Sequence, residues 1–238
     1  MLFRSYKERT KIVIGQDGID LLRNSNVLVF GIGGVGSYVV EGLVRAGIGN
    51  LTIVDFDTVD ITNINRQIPA LHSTIGMNKT DVLEKRIKDI NPEINLKCHT
   101  SLYNEDTSDT LLDGDYDFVV DAIDMVPSKI HLIESCYKRG LNIISSMGMG
   151  NKLDPTMIEI ADIHKTEMCP LAKIIRREAK KRGIKKLPVV YSREKPRDTG
   201  ITQEDGRTKR VNGSMSFVPS CAGLIISSYI VRKIIGDL

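Results

Sequence analysis

Carboxylate, amide and cationic side chains follow apolar, β-prone segments at several points of this 238-residue sequence. They are Asp55, Asp57, Asn63, Arg66, Lys79 and Asp124. The carboxyl ends of parallel strands meet at one edge of a sheet, where ligands bind in open α/β folds. A guanidinium and an ammonium can neutralise phosphate oxygens, while a carboxylate can hold Mg²⁺ or accept hydrogen bonds from ribose hydroxyls. The set predicts a nucleoside-triphosphate site, with Asp124 as the metal ligand and Asp55 on the ribose.

A run of glycines follows segment 27–30, whose unbroken apolar character predicts a strand buried on both faces. The glycines are Gly31, Gly33, Gly34 and Gly36. The first can form a tight turn, the next two let backbone N–H groups approach a phosphate, and the last permits close helix–strand packing. A second predicted strand at 51–54 completes a βαβ unit. This context favours nucleotide binding over a purely structural turn.

Two cations near the glycine turn narrow the choice of nucleotide. Arg66 suits bidentate contact with phosphate. Lys79 lies in the first turn of a helix predicted over 76–90, where a cation is unfavourable to the helix dipole unless an anion lies close by; the alternative is an ordinary solvated lysine. Because dinucleotide oxidoreductases rarely need both cations here, we expect ATP. With a carboxylate as the attacking group, the product is an acyl-adenylate ready for displacement.

The remaining pattern predicts an α/β fold, with a Rossmann-like, mostly parallel sheet and flanking helices in a single domain over 1–238. Further strands are predicted at 94–98, 116–123, 142–146, 157–163 and 189–191, and further helices at 128–139, 170–183 and 217–238. Residues 1–26 form a basic arm, and residues 164–213 hold a basic crossover helix and a mobile loop. Because Asp124 precedes a predicted helix, a helix N-cap is the alternative role for its carboxylate.

Composition excludes several classes of protein. The four cysteines stand singly, without a CxxC pair, so no structural zinc is expected. Free thiols and the lack of a signal peptide predict a cytoplasmic protein. Serines and basic residues interrupt the apolar stretch 224–235, so we expect no membrane insertion. Cys169 and Cys221 have no basic neighbour at a spacing that predicts a reactive thiol.

Basic residues cluster strongly for a chain whose net charge is only +3. The cluster comprises Lys173, Arg176, Arg177, Lys180, Lys181, Lys185 and Lys186. A basic helix face is usually just solvated, but this excess predicts an anionic macromolecule as partner. No aromatic residues interleave to stack on bases, so contact with an RNA backbone is the favoured mode.

Four motifs in order resemble one known family. They are GIGGVGS, LTIVDFDTVDITNINRQ, GMNKTDVLEKRIKDINP and VVDAIDMVPSK. The chain resembles the ThiF/MoeB-type, ubiquitin-activating-enzyme-like adenylyltransferases over about residues 9–150. The resemblance implies nucleotide binding by Gly34 and Asp55, ribose and phosphate contacts from Asn63, Arg66 and Lys79, and magnesium on Asp124. The arm's RTKIVIG run resembles a segment that supplies an arginine to the partner's ATP, which implies a homodimer with Arg9 as the finger.

The later motifs narrow the resemblance to one branch. The ThiF and MoeB branches usually carry two CxxC zinc pairs, and this chain has none. Instead DPTMIEIADIHKTEMCPLAKIIRREAKKRGI, LPVVYSREKP and GSMSFVPSCAG resemble the bacterial tRNA threonylcarbamoyladenosine dehydratases. These use ATP to activate the threonyl carboxylate of a tRNA nucleoside, which then cyclises. Some members work with sulfur-relay proteins. Cys169 stands where relatives often have an acidic residue, so no catalytic role is carried onto it.

Three alternatives stay open at this point. The first is activation of the C-terminal glycine of a small sulfur-carrier protein, which the missing zinc pairs disfavour. The second is a nucleotide-sensing RNA-binding module without catalysis. A dehydrogenase is the third and the most distant, because the predicted site suits a triphosphate.

Overall fold

The computed structural model describes residues 5–200, 202–204, 208–210 and 212–238. Its helices are α1 (Glu8–Asn24), α2 (Gly36–Ala46), α3 (Lys79–Ile90), α4 (Glu105–Leu111), α5 (Val126–Arg139), α6 (Pro170–Lys181) and α7 (Phe217–Ile234). Its strands are β1 (Asn26–Phe30), β2 (Asn50–Val54), β3 (Asn95–His99), β4 (Phe118–Asp121), β5 (Ile143–Ser146), β6 (Ile158–Asp162), β7 (Pro188–Ser192), β8 (Thr202–Glu204) and β9 (Thr208–Arg210).

The seven-stranded sheet formed by the described residues has the order β3-β2-β1-β4-β5-β7-β6. Every neighbouring pair is parallel except β6 with β7. In the centre, Val29 is paired with Ile53 on one side and with Val120 on the other. All three side chains are fully buried because helices cover both faces of the sheet. The predicted α/β fold with a mostly parallel sheet is confirmed.

Helices α2 and α7 pack closely on one face of the sheet. A Cβ on Gly223 would lie 2.4 Å from the carbonyl oxygen of Val35, and a Cβ on Gly42 would lie 2.3 Å from Ser227 Oγ. Apolar side chains of both helices share one buried cluster, among them Val39, Leu43, Ile226 and Ile230. The close contact fixes α2, and with it the glycine turn that precedes this helix.

By length and composition alone, α7 is long and apolar enough to cross a membrane, whereas the serines and basic residues in this stretch predict no membrane insertion. The helix packs on α2, and Ala222, Ile226 and Ile230 are fully buried. Its apolar composition therefore matches its place in the protein core.

Four elements differ from the sequence predictions. Most of the segment predicted as a basic arm forms helix α1, which is broken at Gly15, where φ is +72°. No sequence pattern predicted α4, whose N-cap Asn104 exchanges hydrogen bonds with Thr107. Strands β8 and β9 pair antiparallel inside the segment predicted to be a mobile loop. Arg207 of that segment lies outside the described residues.

Candidate active site

A cleft of about 730 Å³ opens at the carboxyl edge of the sheet. The loops that follow β1, β2, β4 and β5 line it, together with the start of α6 and residues 212–214. It contains every nucleotide-site residue predicted from the sequence except Gly36 and Arg9. Parallel strands explain this convergence, because their carboxyl ends deliver successive loops to one edge.

The glycine turn leaves room for nothing larger than hydrogen at two positions. Gly31 has φ +79°, and a Cβ there would lie 2.7 Å from the carbonyl oxygen of Ala122. A Cβ on Gly36 would lie 1.8 Å from the carbonyl oxygen of Gly31.

The N-cap residue of α2 is Val35, which gives the helix no side-chain hydrogen bond. In the first turn, the N–H groups of Ser37 and Tyr38 donate to the carbonyl oxygens of Gly33 and Val35. An anion would therefore bind the N–H groups of the glycine turn at the start of the helix.

Asp55 ties the glycine turn to the end of β2. Its Oδ2 accepts a hydrogen bond from the Ile32 N–H (2.8 Å), and its Oδ1 accepts one from the Asp57 N–H (2.8 Å). Burial raises the pKa of Asp55, and the two N–H groups and Lys79 oppose that rise. Each oxygen keeps a second lone pair, so the carboxylate can still accept a ribose hydroxyl.

Lys79 and Asp57 form an ion pair at the floor of the cleft. Lys79 Nζ lies 2.7 Å from Asp57 Oδ2; the lysine side chain is 5% exposed and the aspartate side chain 46%. The alternative that Lys79 is an ordinary solvated lysine is therefore wrong. The cation in the first turn of α3 is balanced by a carboxylate of the protein, and both groups line the cleft. A phosphate that entered would compete with Asp57 for the ammonium.

Arg66 and Asn63 come from the loop after β2. The Asn63 Oδ1 accepts from the Asp60 N–H (3.2 Å), which shapes a short 3-10 turn. Arg66 Nη1 donates to the Thr62 carbonyl oxygen (2.9 Å) and to Asn65 Oδ1 (2.8 Å). These bonds use one of the nitrogens of the guanidinium. The other N–H groups, on a side chain that lines the cleft beside Gly34, can reach a ligand.

Asp124 is exposed and lines the cleft. The N-cap of α5 is Met125, without a side-chain hydrogen bond, so the alternative of Asp124 as that cap is not supported. Within the described part of the chain, no three acidic, His or Cys side chains cluster as a metal site. A single carboxylate still fits Mg²⁺, which commonly takes one or two carboxylates together with substrate phosphates and water.

Asp121 is the last residue of β4 and so lies near the same edge of the sheet, but it is not among the described residues that line the cleft. It is fully buried and pairs with Lys129, also fully buried, at 2.8 Å. Sequence reasoning missed Lys129, although a signal was present. The lysine occupies a core position at helical spacing with Leu132, Ile133 and Cys136, and a charge there needs a buried partner.

Arg9 and the basic cluster lie away from the glycine turn. Arg9 is exposed in the first turn of α1 and is not among the described residues that line the cleft. On α6, Lys173, Arg177 and Lys180 are exposed and surround a shallow pocket of about 380 Å³.

Three members of the cluster have partners within the protein, and one of them is Arg177, whose Nε donates to Glu178 Oε1 at 3.3 Å. Arg176 Nη1 donates to Thr166 Oγ1 (2.9 Å) and also bonds the Thr166 carbonyl oxygen, so this side chain anchors the helix. Lys181 forms an ion pair with Glu178 at 3.0 Å. Lys185 and Lys186 are exposed just beyond the helix. Lys173 and Lys180 are thus the better placed groups for an external anion.

All four cysteines are free. Burial raises the pKa of the Cys98 and Cys136 thiols to about 12. Cys169 is buried at the start of α6, and Cys221 is partly buried against the main core cluster. The environments of Cys98 and Cys136 therefore disfavour a thiolate.

A family model matches residues 6–237 of the chain, under the description "ThiF family". The protein belongs to the ThiF family. This assignment agrees with the order of strands and with the loops that meet in the cleft.

Comparisons with individual ThiF-family proteins point to one branch. The chain is 43% identical to the tRNA threonylcarbamoyladenosine dehydratase of Bacillus subtilis, over 97% of this chain and 94% of that protein. It superposes on the E. coli tRNA N6-threonylcarbamoyladenosine dehydratase TcdA, solved in complex with ATP, with a TM-score of 0.88 and 30% identity, covering 100% of this chain and 98% of that one. The Dictyostelium discoideum adenylyltransferase and sulfurtransferase MOCS3 is 36% identical, but over only 57% of this chain and 32% of that protein.

Proposed function

We propose that this protein is an ATP-dependent tRNA threonylcarbamoyladenosine dehydratase. The observation that carries the proposal is the 43% identity to the Bacillus subtilis dehydratase, which extends over nearly the whole length of both chains. The cleft supports it, because a glycine turn, two cations and a free carboxylate meet at the edge of the sheet. The sulfur-carrier alternative is disfavoured because the likeness to MOCS3 stops at about half of this chain.

The chemistry has two steps. In the first, a threonyl carboxylate oxygen attacks the α-phosphorus of ATP, the bond to the β-phosphate oxygen breaks, and pyrophosphate leaves. Arg66, Lys79 and backbone N–H groups of the glycine turn stabilise the negative charge on the phosphates. Mg²⁺, when held by Asp124, would neutralise further triphosphate charge. Asp55 and Asn63 orient the ribose.

In the second step, a nitrogen or oxygen of the substrate's own carbamoyl group attacks the acyl carbon of the adenylate. The acyl–phosphate bond breaks, AMP leaves with its electron pair, and the attacking group loses a proton to water. Ring closure by the substrate needs no enzyme thioester, which is consistent with the high pKa of the Cys98 and Cys136 thiols. The net change is the loss of one water from the nucleoside, driven by ATP cleavage.

The finer assignments belong to the same proposal. We infer a homodimer in which Arg9 reaches the partner's nucleotide. We also infer a cytoplasmic location, which the free cysteines support. The tRNA contacts the protein through exposed lysines, namely Lys173, Lys180, Lys185 and Lys186. A sulfur-relay partner remains an expectation from the resemblance.

The decisive experiment measures the mass of the nucleoside. Purified protein is incubated with ATP, Mg²⁺ and threonylcarbamoylated tRNA, the tRNA is digested, and the nucleosides are analysed by mass spectrometry. The expected product is the threonylcarbamoyl nucleoside minus one water, formed only with ATP present. An unchanged nucleoside, under conditions where an active control enzyme converts it, would refute the proposal. ATP–pyrophosphate exchange that depended on a small sulfur-carrier protein would favour the alternative.

A further inference from the structure

The cleft has two halves that differ in what lines them. The nucleotide half comprises the loops after β1 and β2, with the glycine turn, Asp55, Asn63, Arg66 and Lys79. The acceptor half comprises the turn 147–150 after β5, Leu171 at the start of α6, and residues 212–214. The loop that carries Asp124 follows β4, between the two halves. A polyanion arriving along the basic helix α6 would meet the acceptor half first.

Hydrogen bonds of the buried Lys129–Asp121 pair connect the loop that carries Asp124 to the start of the turn 147–150. Its Nζ donates to Asp121 Oδ2 (2.8 Å) and to the carbonyl oxygen of Ser146 (2.9 Å), the last residue before the turn. The other oxygen of Asp121 accepts from the N–H of Ile123 (3.1 Å), which directly precedes Asp124. One buried ion pair therefore fixes the backbone on both sides of the boundary between β4 and β5.

Lys152 holds the same turn from its other end. This residue is 3% exposed, and its Nζ donates to the carbonyl oxygens of Gly148 (3.0 Å) and Ser192 (3.3 Å). Ser192 is the last residue of β7, so the ammonium ties the turn to the neighbouring strand. A third bond runs from the Met147 N–H to the Val190 carbonyl oxygen (2.8 Å).

These two lysines are costly to bury, and neither is among the described residues that line the cleft. Burial lowers the pKa of Lys152, opposed by Cys169 and Glu194. Removing either ammonium would leave backbone carbonyl groups without a donor at the point where the turn must hold its shape. Their common effect is on the turn 147–150, whose sequence MGMG has little stiffness of its own.

We infer that Lys129 and Lys152 are positioning residues that hold the turn 147–150 as the wall against which the acceptor carboxyl group is placed. The inference rests on the proposed function for the identity of that acceptor. It assigns neither lysine to the nucleotide. Loss of either ammonium should therefore weaken use of the tRNA while ATP binding stays unchanged.

The test uses two variants and a matched control. Lys152→Met removes one ammonium group. Because Lys152 Nζ bonds only carbonyl oxygens directly among the described residues, this change leaves no carboxylate there without its hydrogen-bond partner. The double variant Asp121→Asn/Lys129→Met removes both charges of the buried pair together, because the single lysine change would strand a buried carboxylate. Lys138→Met makes the same substitution on α5 at an exposed position, where Lys138 is 70% exposed. Each is assayed for tRNA conversion, ATP affinity and amide hydrogen exchange.

For both variants, kcat/KM for tRNA should fall roughly tenfold to a hundredfold, as expected for the loss of hydrogen bonds to a charged group. ATP affinity should equal that of Lys138→Met, and amide exchange should accelerate at 147–150 but not at 31–36. Combining Lys152→Met with the double variant should give less than the sum of the two effects, because both act on one turn.

Several results would overturn the inference. One is a folded Lys152→Met protein with the same kinetics as the Lys138→Met control. Another is a loss of ATP affinity as large as the loss of kcat/KM for tRNA. The third is failure of both variants to fold, which would make the lysines purely structural. If wild-type protein did not convert tRNA, the proposed function would fail. The hydrogen-exchange comparison would still decide whether the lysines hold the turn.

Discussion

The nucleotide half and the acceptor half of the cleft use charge in opposite ways. In the nucleotide half, the charged side chains of Asp57, Arg66 and Lys79 line the cleft itself. In the acceptor half, turn 147–150 lines the cleft while Lys129 and Lys152 lie behind it. A phosphate is recognised by charge, and a carboxyl group on a bulky nucleoside must above all be placed correctly. In the proposed function, the nucleotide half would bind the phosphates and the acceptor half would position the carboxyl group.

The comparison predicts its largest effect at the boundary between the halves. Asp124→Ala should lower tRNA conversion by about a hundredfold or more, since adenylyl transfer to the carboxylate would lose the side chain proposed to hold charge-neutralising Mg²⁺. Stability should change by less than about 0.5 kcal/mol, because the side chain is exposed. Steady-state kinetics and urea unfolding measure the two quantities.

Asp113→Ala, on an exposed loop away from the cleft, is the matched control for this substitution. Strong destabilisation of the Asp124 variant, or conversion at the control's rate, would remove Asp124 from the chemistry. Asp124→Asn keeps an oxygen ligand and should fall between the wild-type protein and the alanine variant.

A second prediction asks whether the nucleotide half is complete within one chain. Arg9→Ala should lower kcat roughly tenfold to a hundredfold, the value of a lost hydrogen bond between charged groups. If the arginine acts across a symmetric dimer, mixing this variant with Asp124→Ala should restore about a quarter of wild-type activity, since half of the dimers would carry one intact site.

Subunit exchange must be demonstrated for that mixture, for example with differently tagged chains. Exchange without recovery of activity would mean that Arg9 acts within its own chain or not at all. The nucleotide half would then be complete within a single protomer.

A third prediction concerns the approach to the acceptor half. Lys173→Glu/Lys180→Glu should weaken tRNA binding roughly tenfold and lower the salt dependence of binding by about two ions, with ATP affinity unchanged. These two lysines have no ion pair among the described residues, so the change disturbs little else. Fluorescence anisotropy at several salt concentrations measures the slope.

The matched control is Lys85→Glu/Lys97→Glu. It makes the same change in net charge with exposed residues of α3 and β3, at the opposite end of the sheet. Equal weakening by both pairs would show that overall charge, rather than the α6 surface, governs tRNA binding.

The difference between the nucleotide half and the acceptor half also explains which parts of the site could be predicted from the sequence. The nucleotide half was predictable, because a glycine turn and Asp55 have meaning at fixed local spacing in a βαβ unit. Strand-end residues such as Asp124 followed from the rule that parallel strands share one ligand-binding edge. The role of Asp121 did not follow from that rule. The signal for it was Lys129, a charged residue at a core position of α5 that needs a buried partner.

The structure of the acceptor half could not be predicted from such local sequence rules, for a physical reason. Its shape depends on hydrogen bonds between residues far apart in sequence, such as Lys152 with Ser192. The ion pair of Lys79 with Asp57 likewise needs the loop between β2 and α3 to fold back on itself. Periodicity reports which face of an element is buried, and it carries no information on these pairings.

The smallest predicted effect tests how Asp55 serves the nucleotide half. Burial raises the pKa of this carboxyl group in the folded protein. As pH rises from about 4, Asp55 therefore loses its proton in the unfolded chain before it does so in the folded protein. Over that pH range the folded protein binds more protons than the unfolded chain. The free energy of unfolding therefore falls until pH passes the raised pKa of Asp55. Asp55→Asn should lack that decline.

Urea unfolding of both proteins at a series of pH values from about 4 to about 7 measures the difference. Asp113→Asn, at an exposed position, controls for the loss of one carboxyl group. Parallel profiles for the wild-type protein and Asp55→Asn would mean that the N–H groups of Ile32 and Asp57 fully offset the cost of burial. A steeper decline in the wild-type protein would show that burying an ionised carboxylate at Asp55 costs stability at neutral pH. Asp55, beside the proposed ribose site, would then resemble the two ammonium groups that are buried behind the acceptor half.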